Sequence, residues 1–299
     1  PELEAIVRRT GAALRFEAAV GGGTPILGPL AVELAANRID AVRGIVNGTT
    51  NYILTAMAQD GRPYDEVLED AQELGYAEAD PTGDVEGDDA VNKLVILARL
   101  AFGSWLAPAS IERRPPTVDG LGRPGISGVS SDEVKAASAV GLTLKLVARV
   151  RRLADGAIAA DVLPMALAAD GPLARTGGVE NRVEIDAEPV GRVAFSGPGA
   201  GGRATSSAVL GDLIAIARGS GATWAGLAPA AGPVGSARAD DGPIRRFFAS
   251  TLPEQLVRDQ VDIEVARGGG FITAARPLDA LRADLATVGV VATLYPLGD

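Results

Sequence analysis

The segment Gly75–Lys93 constrains the fold of this 299-residue chain more than any other part of the sequence. Its nineteen positions hold six acidic residues, one tyrosine and one lysine, and the apolar run Leu94–Ala98 follows directly. A helix predicted over Asp88–Phe102 therefore has no polar face for a full turn, and such a helix has to be buried on most sides. We expect other elements to cover this helix and the lysine near its start to be half-buried.

The same segment concentrates the groups that could transfer protons. The chain has no histidine, no cysteine and only three lysines, Lys93, Lys135 and Lys145, among 28 basic residues. Proton transfer must then rely on Glu, Asp, Lys or Tyr. Asp89 and Lys93 are four residues apart, so a helix places them on one face. A lysine held by this aspartate could exchange a proton with a substrate oxygen; the alternative is an ordinary ion pair at an acidic helix start.

Charge and cysteine content exclude several classes of protein. The net charge of −10 argues against nucleic acid or an anionic membrane as a partner, since both require a basic face. Without cysteine there is no disulfide framework and no zinc–thiolate site, which fits a cytoplasmic protein. No apolar run approaches the roughly 18 residues of a membrane-spanning helix.

Three glycine-bearing turns are further candidate sites. The run Phe16–Pro25 contains three consecutive glycines, and backbone carbonyls there, together with the Glu17 carboxylate, would suit a hard cation. A strand–turn–helix over Gly44–Tyr52 and the GPGAGG run at 197–202 could each present N–H groups at a helix start to a carboxylate or phosphate. The first turn lacks the dinucleotide spacing G-x-G-x-x-G, and a purely structural role stays open for all three.

Hydrophobic periodicity and turn residues predict the secondary structure. Helices are predicted over 2–10, 26–37, 49–59, 64–74, 88–102, 131–141, 204–218 and 278–288, with a threonine as the N-cap of the third. Strands are predicted over 13–20, 41–46, 142–151, 157–163, 182–185, 192–195, 246–251, 271–275 and 290–295. The fold class that follows is α/β (α+β), with a mostly β sheet covered by helices and a small C-terminal α+β unit.

Taken together and in this order, these segments resemble the homoserine dehydrogenase family. The resemblance covers roughly residues 1–220, and the third of the matching runs is the most specific. The matching runs are FEAAVGGGTPI, GIVNGTTNYIL, AQELGYAEADPTGDVEGDDAVNKLVILARLAFG, DEVKAASAVGLTLKLVARV and FSGPGAGGRATSSAVLGDL.

The resemblance implies an activity and a set of site residues. Members of the family interconvert L-homoserine and L-aspartate 4-semialdehyde with NAD(H) or NADP(H), a step in threonine and methionine biosynthesis. By this resemblance Lys93 is the proton donor, and Asp89 positions substrate beside it. The remaining matches are Glu78 for the substrate ammonium; Thr49, Gly48, Tyr76 and Asp84 for the rest of the substrate pocket; Gly75 and Gly199 for the nucleotide; and Glu17 with Val20, Gly22 and Thr24 for a monovalent cation, usually sodium.

The resemblance also implies a domain organisation. Family members begin with a Rossmann domain of roughly a hundred residues or more, of which this chain resembles only the last part, over 1–20. We expect a catalytic and dimerisation domain over 21–203, a helix that returns to the nucleotide-binding domain over 204–224, a linker over 225–243 and a degenerate, ACT-like unit over 244–299. A homodimer formed by sheet extension is implied. The chain alone is expected to reduce aspartate semialdehyde poorly or not at all.

Two other functions stay open at this point. A non-catalytic amino-acid-binding or regulatory module could retain the same substrate pocket. A carboxylate-paired hydrolase would fit the acidic loop, but it would not account for Lys93 and Asp89 on one helix face.

Overall fold

A nine-stranded sheet organises the chain in the computed structural model, which describes residues 1–230, 232, 234–238, 246–250 and 261–298. The strands are β1 (Arg38–Ile45), β2 (Pro116–Thr117), β3 (Gly120–Leu121), β4 (Leu142–Arg152), β5 (Ile158–Ala168), β6 (Glu180–Glu188), β7 (Gly191–Pro198), β8 (Phe247–Ser250), β9 (Ile263–Arg267), β10 (Gly270–Thr273) and β11 (Tyr295–Gly298). Their order is β7-β6-β1-β4-β5-β11-β8-β10-β9, and β2 and β3 form a separate pair. Among the described strands only β5 and β11 pair in parallel, so the predicted fold class is confirmed.

Nine α-helices lie in the described part of the chain, and several of them pack against the strands of this sheet. They are α1 (Glu2–Thr10), α2 (Leu27–Ala31), α3 (Gly48–Asp60), α4 (Tyr64–Glu73), α5 (Thr82–Val85), α6 (Asp88–Phe102), α7 (Ser131–Ala139), α8 (Gly202–Ala217) and α9 (Leu278–Thr287). Alternate residues of β4, such as Leu144 and Leu146, share the main core with Leu94 and Leu97 of α6. None of the helices in the described part of the chain is long and apolar enough to cross a bilayer.

Helix α6 is the buried helix that the sequence predicts, with the predicted bounds. Gly87 before it and Gly103 after it have φ values of 87° and 76°, a left-handed conformation that favours glycine and stops a helix. Leu94, Leu97 and Ala98 are at most 1% exposed. This burial fixes the axis of the helix, and with it the position of the lysine near its start.

Two predicted elements near the N-terminus are wrong. Residues 13–20 form no strand; Glu17–Ala19 is a single 3₁₀ turn, because no neighbouring strand in the described chain offers hydrogen bonds to this segment. Leu14 instead accepts a hydrogen bond from the backbone of Thr223. The predicted helix over 26–37 stops at Ala31, after which wider turns such as Leu34 N–H to Pro29 O replace the helical bonds.

The C-terminal strands continue the main sheet. Strand β11 joins β5 on one side and β8 on the other, while Phe247, Phe271 and Leu281 form a second core. The strand over 263–267 is an addition to the prediction, and Thr251, predicted to end a strand, lies outside the described residues. Part of the predicted linker lies along the region over 21–203, since Gly235 bridges Leu106 and Arg238 bridges Ala159. Residues 231, 233 and 239–243 are outside the described part.

Candidate active site

The predicted lysine–aspartate pair forms the centre of the candidate site. Helix α6 places Asp89 and Lys93 one turn apart, and Lys93 Nζ lies 2.6 Å from Asp89 Oδ2. The same nitrogen donates to the backbone oxygen of Val46 at 2.9 Å. The Lys93 side chain is 19% exposed, which confirms the half-buried position expected from the sequence. An ammonium has three protons, and the described residues accept two of them, which leaves the third for a ligand.

Asn47 connects the turn after β1 to both aspartates of the site. Its Nδ2 donates to Asp84 Oδ1 at 2.7 Å and to Asp89 Oδ2 at 2.9 Å. Its Oδ1 accepts from the backbone N–H of Thr50, so Asn47 is the N-cap of α3 and the predicted threonine cap is wrong. The asparagine precedes the two threonines by two and three residues. It offers both an acceptor and donors, so it can cap the helix and bind both carboxylates.

Thr49, Tyr76 and Asp84 contact one another beside the lysine–aspartate pair. Gly48 matters because it has no side chain. The Thr49 hydroxyl lies 2.6 Å from the carbonyl oxygen of Tyr76 and 3.1 Å from Asp84 Oδ2. The Tyr76 ring packs against another tyrosine, Tyr52, with 5.1 Å between centroids. A Cβ at Gly48 would lie 3.1 Å from the backbone oxygen of Val179, so the start of α3 approaches that loop closely.

Glu78 is an exposed carboxylate on the loop between α4 and α5. It forms no ion pair with any residue in the described part of the chain, and its backbone oxygen accepts from Gln72. Gly75 has a φ of 73°, and a Cβ there would meet nothing within 4 Å, so glycine is required for backbone conformation and not for packing. A carboxylate in the position of Glu78 can bind a ligand ammonium.

The two glycine-rich turns pack against each other. A Cβ at Gly22 would lie 2.4 Å from the backbone oxygen of Gly199, and Gly23 N–H donates to Pro198 O at 3.1 Å. A Cβ at Gly199 would lie 2.3 Å from the side chain of Asn181. The run GPGAGG is therefore the end of β7 and the start of α8, held close to the first turn.

The predicted cation ligands offer oxygen atoms within one segment, but the Glu17 carboxylate already accepts hydrogen bonds from the protein. It accepts backbone N–H groups of Ile26, Leu27 and Gly28 at 2.6 to 2.8 Å and so caps α2. The carbonyl oxygens of Val20, Gly22 and Thr24 accept no hydrogen bond from the residues that the structure describes. The buried Thr24 Oγ1 also lacks a partner there, and oxygen donors of this kind fit a hard cation.

Sequence reasoning missed three polar residues around the site. Asn47 and Asn181 carry no local signal of their bonds to Asp84, Asp89 and Val46, because these partners lie far away in the chain. Lys145 on β4 is buried and donates to Asn51 Oδ1, Thr55 Oγ1 and Thr176 O at 2.7 to 2.9 Å. Burial lowers the pKa of Lys145 to about 8. Its three uncharged acceptors match the three protons of an ammonium.

Gly199→Ala is expected to destabilise the protein by about 1–3 kcal/mol, because the added methyl group overlaps Asn181 in a packed region. Urea unfolding of the chain measures the change. Gly202→Ala is the matched control, since a Cβ at Gly202 meets nothing within 4 Å. Equal stability of the two variants would contradict the close packing of Gly199 on Asn181.

The described residues form an α/β domain in which hydrogen bonds join Lys93 to Asp89 and, through Asn47, to Asp84. Comparison with known proteins identifies the family of this domain. The family model described as homoserine dehydrogenase matches residues 25–214. This match covers more than half of the chain, and the chain belongs to the homoserine dehydrogenase family.

Individual relatives support the assignment. A homoserine dehydrogenase of Synechocystis sp. is 43% identical over 223 residues, which are 72% of this chain and 48% of that protein. One of Corynebacterium glutamicum is 45% identical over 209 residues, 69% of this chain and 45% of that protein. The chain thus spans about half the length of these curated relatives.

Solved structures agree with the fold. A homoserine dehydrogenase from Thiobacillus denitrificans has a TM-score of 0.83 at 29% identity and covers all of this chain, which in turn spans 73% of it. A hyperthermophilic archaeal homoserine dehydrogenase, solved in complex with NADPH, has a TM-score of 0.60 at 33% identity, with 73% of this chain and 60% of that one aligned.

Proposed function

We propose that this chain provides the substrate pocket and the proton donor for the interconversion of L-homoserine and L-aspartate 4-semialdehyde. The observation that carries the proposal is the geometry at Lys93, whose ammonium is held by Asp89 and by Val46 O and keeps one proton for a ligand. Membership of the homoserine dehydrogenase family gives this geometry a substrate.

Each site residue then has a role that its position allows. Glu78 binds the ammonium group of the substrate, and Thr49, Gly48, Tyr76 and Asp84 line the pocket. Asp89 orients Lys93 beside the substrate, and Lys93 gives its proton to the aldehyde oxygen during reduction. In the oxidation direction the neutral amine takes the proton from the hydroxyl group. A nicotinamide cofactor, NADP(H) or NAD(H), would supply or accept the hydride, and Gly75 and Gly199 would lie next to it.

A nucleotide-binding domain would pack on the surface formed by α1 and α8. No residue of α8 is buried, and Val209, Leu210, Leu213 and Ile214 are each 46–58% exposed. Leu3 of α1 is also exposed, and beside it lies an apolar cavity of about 600 Å³. An apolar surface of this extent supports contact with another domain. The archaeal relative solved with NADPH supports a nicotinamide cofactor.

Two further features belong to the proposal. A sodium ion would be held beside Glu17 by the carbonyl oxygens of Val20, Gly22 and Thr24, with the unpartnered Thr24 hydroxyl nearby. A homodimer would form by extension of the sheet, which ends at β7 and at β9. Sedimentation of the chain measures the second feature directly.

The assay that tests the function compares two proteins. The first is this chain alone, and the second is the completed enzyme, meaning this chain preceded by a nucleotide-binding domain. We expect the completed enzyme to oxidise NADPH or NADH with aspartate semialdehyde and the chain alone to do so poorly or not at all. Steady turnover by the chain alone would contradict the proposal that turnover requires a nucleotide-binding domain. Inactivity of the completed enzyme would favour a non-catalytic amino-acid-binding module.

Glu78→Gln is expected to weaken L-homoserine binding by about ten- to a hundredfold, because a charge-assisted hydrogen bond to the ammonium contributes about 1.5–3 kcal/mol. Calorimetric titration of the chain with L-homoserine measures this without any cofactor. Glu73→Gln, an exposed glutamate at the end of α4, is the control and should bind as the unchanged chain does. Unaltered affinity of the Glu78 variant would remove this residue from the pocket.

A further inference from the structure

A buried asparagine on β6 shares its hydrogen-bond acceptor with Lys93. Asn181 is 1% exposed, and its Nδ2 donates to Val46 O at 3.1 Å. Lys93 Nζ donates to the same oxygen at 2.9 Å. One carbonyl therefore receives two N–H groups, one from the proposed proton donor and one from a buried amide.

The same amide lies directly against the glycine-rich loop at 197–202. A Cβ at Gly199 would be 2.3 Å from both Cγ and Oδ1 of Asn181, so the contact requires a residue without a side chain. The loop is confined on its other side by the backbone at Gly22, where an added Cβ would lie 2.4 Å from Gly199 O. Any displacement of Gly199 must then move the Asn181 amide, because the region has no space to absorb it.

The backbone before Asn181 is fixed independently. Asn51 Nδ2 donates to Glu180 O at 3.0 Å, and Lys145 Nζ in turn donates to Asn51 Oδ1 at 2.7 Å. Asn181 Oδ1 is buried and lacks a hydrogen-bond donor within the described residues. Among those residues, two contacts therefore orient the side chain: the bond to Val46 O and the packing against Gly199.

We propose that Asn181 is a positioning residue that couples the hydrogen bond between Lys93 and Val46 to the position of the loop at 197–202. The inference rests on the proposed function, since it takes Lys93 as the proton donor and the loop as the cofactor side of the site. The carbonyl oxygen of Val46 has two lone pairs, and the Asn181 N–H occupies one of them. Lys93 therefore has to donate to the other. A shift of the loop would move the Asn181 amide and so change the direction from which Lys93 donates to Val46 O.

The test is a double-mutant cycle in the completed enzyme. Asn181→Leu should lower kcat about ten- to a hundredfold while KM for L-homoserine stays within about threefold, because the pocket residues are untouched. In a Lys93→Ala background the same substitution should change the residual rate by less than about twofold, since Asn181 acts only through Lys93. Asn181→Asp keeps the shape of the side chain but lacks the N–H group. If the leucine variant does not fold, the aspartate variant is tested instead, with the same expected changes in kcat and KM.

Thr176→Val is the control for lost stability alone. It removes a buried hydroxyl that donates to Pro172 O, and it should lower the melting temperature without changing kcat. Independent, additive effects of Asn181→Leu and Lys93→Ala, or a change in KM with kcat unaltered, would overturn the inference. The unsubstituted completed enzyme is assayed first, because inactivity there contradicts the proposed function and not the role of Asn181.

Discussion

Replacing Lys93 with alanine is expected to lower kcat of the completed enzyme about 100- to 10,000-fold, the range that general acid–base catalysis contributes. The substitution removes the group that we propose as the proton donor to the aldehyde oxygen. It leaves Glu78, Thr49 and Asp84 in place, so substrate binding should change much less than turnover. The measurement is the steady-state rate in both directions, reduction of aspartate semialdehyde and oxidation of L-homoserine.

Two variants separate proton transfer from charge and folding. Lys93→Arg keeps a positive charge beside Asp89, but a guanidinium does not release its proton near neutral pH, so this variant should remain impaired. Lys135→Ala removes an exposed lysine on α7 and should leave turnover unchanged. If turnover of the Lys93→Ala variant stays within about tenfold, roughly 1.4 kcal/mol of barrier, then Lys93 is not the proton-transfer residue.

Local patterns in the sequence predict those parts of the fold in which neighbours along the chain decide the outcome. The apolar run after Lys93 and the glycines at 87 and 103 are sufficient for the bounds and burial of α6. The spacing of Asp89 and Lys93 is likewise sufficient for their contact, which the structure confirms. The roles of the site residues come from the family resemblance and stay predictions.

Contacts between distant segments could not be predicted in this way. Val46 and Asn181 are 135 positions apart, and only the register of β1 and β6 brings them together. The failed strand at 13–20 has the residue types of a strand but lacks a partner, and hydrogen bonding between strands is what makes one. In the sequence, Lys145 does not differ from the other alternate residues of β4. Its burial results from contacts with α3 and with Thr176 O.

The largest change in stability is expected at a buried ion pair between α1 and α6. The Glu4 carboxylate accepts from Arg99 Nε at 2.9 Å, from Arg8 Nε at 2.9 Å and from Trp105 Nε1 at 2.8 Å. The side chains of Glu4 and Arg99 are only 4% and 1% exposed. Arg99→Met leaves this carboxylate buried without its main partner, and we expect a loss of about 3–5 kcal/mol in the free energy of unfolding.

The same pair predicts how stability depends on pH. Burial opposes ionisation of Glu4, but hydrogen bonds from Arg99, Arg8 and Trp105 outweigh it and lower the pKa of Glu4 from 4.5 to about 2. A depressed carboxylate pKa stabilises the fold fully above the unfolded value of 4.5, and this contribution is lost as pH falls toward 2. The part that disappears is about 3 kcal/mol. Glu4→Gln should therefore flatten the acid side of the stability profile.

Urea unfolding between pH 2 and pH 7 measures both effects. Arg38→Met is the control, because Arg38 pairs with Asp40 and Glu188 at the surface and such pairs contribute at most about 1 kcal/mol. If Arg99→Met costs no more than Arg38→Met, the pair does not hold α1 against α6. The result bears on function as well, since Arg99 lies on the same helix as Lys93, and α1 is part of the surface where we propose that a nucleotide-binding domain packs. A stable pair fixes that surface relative to the proton donor.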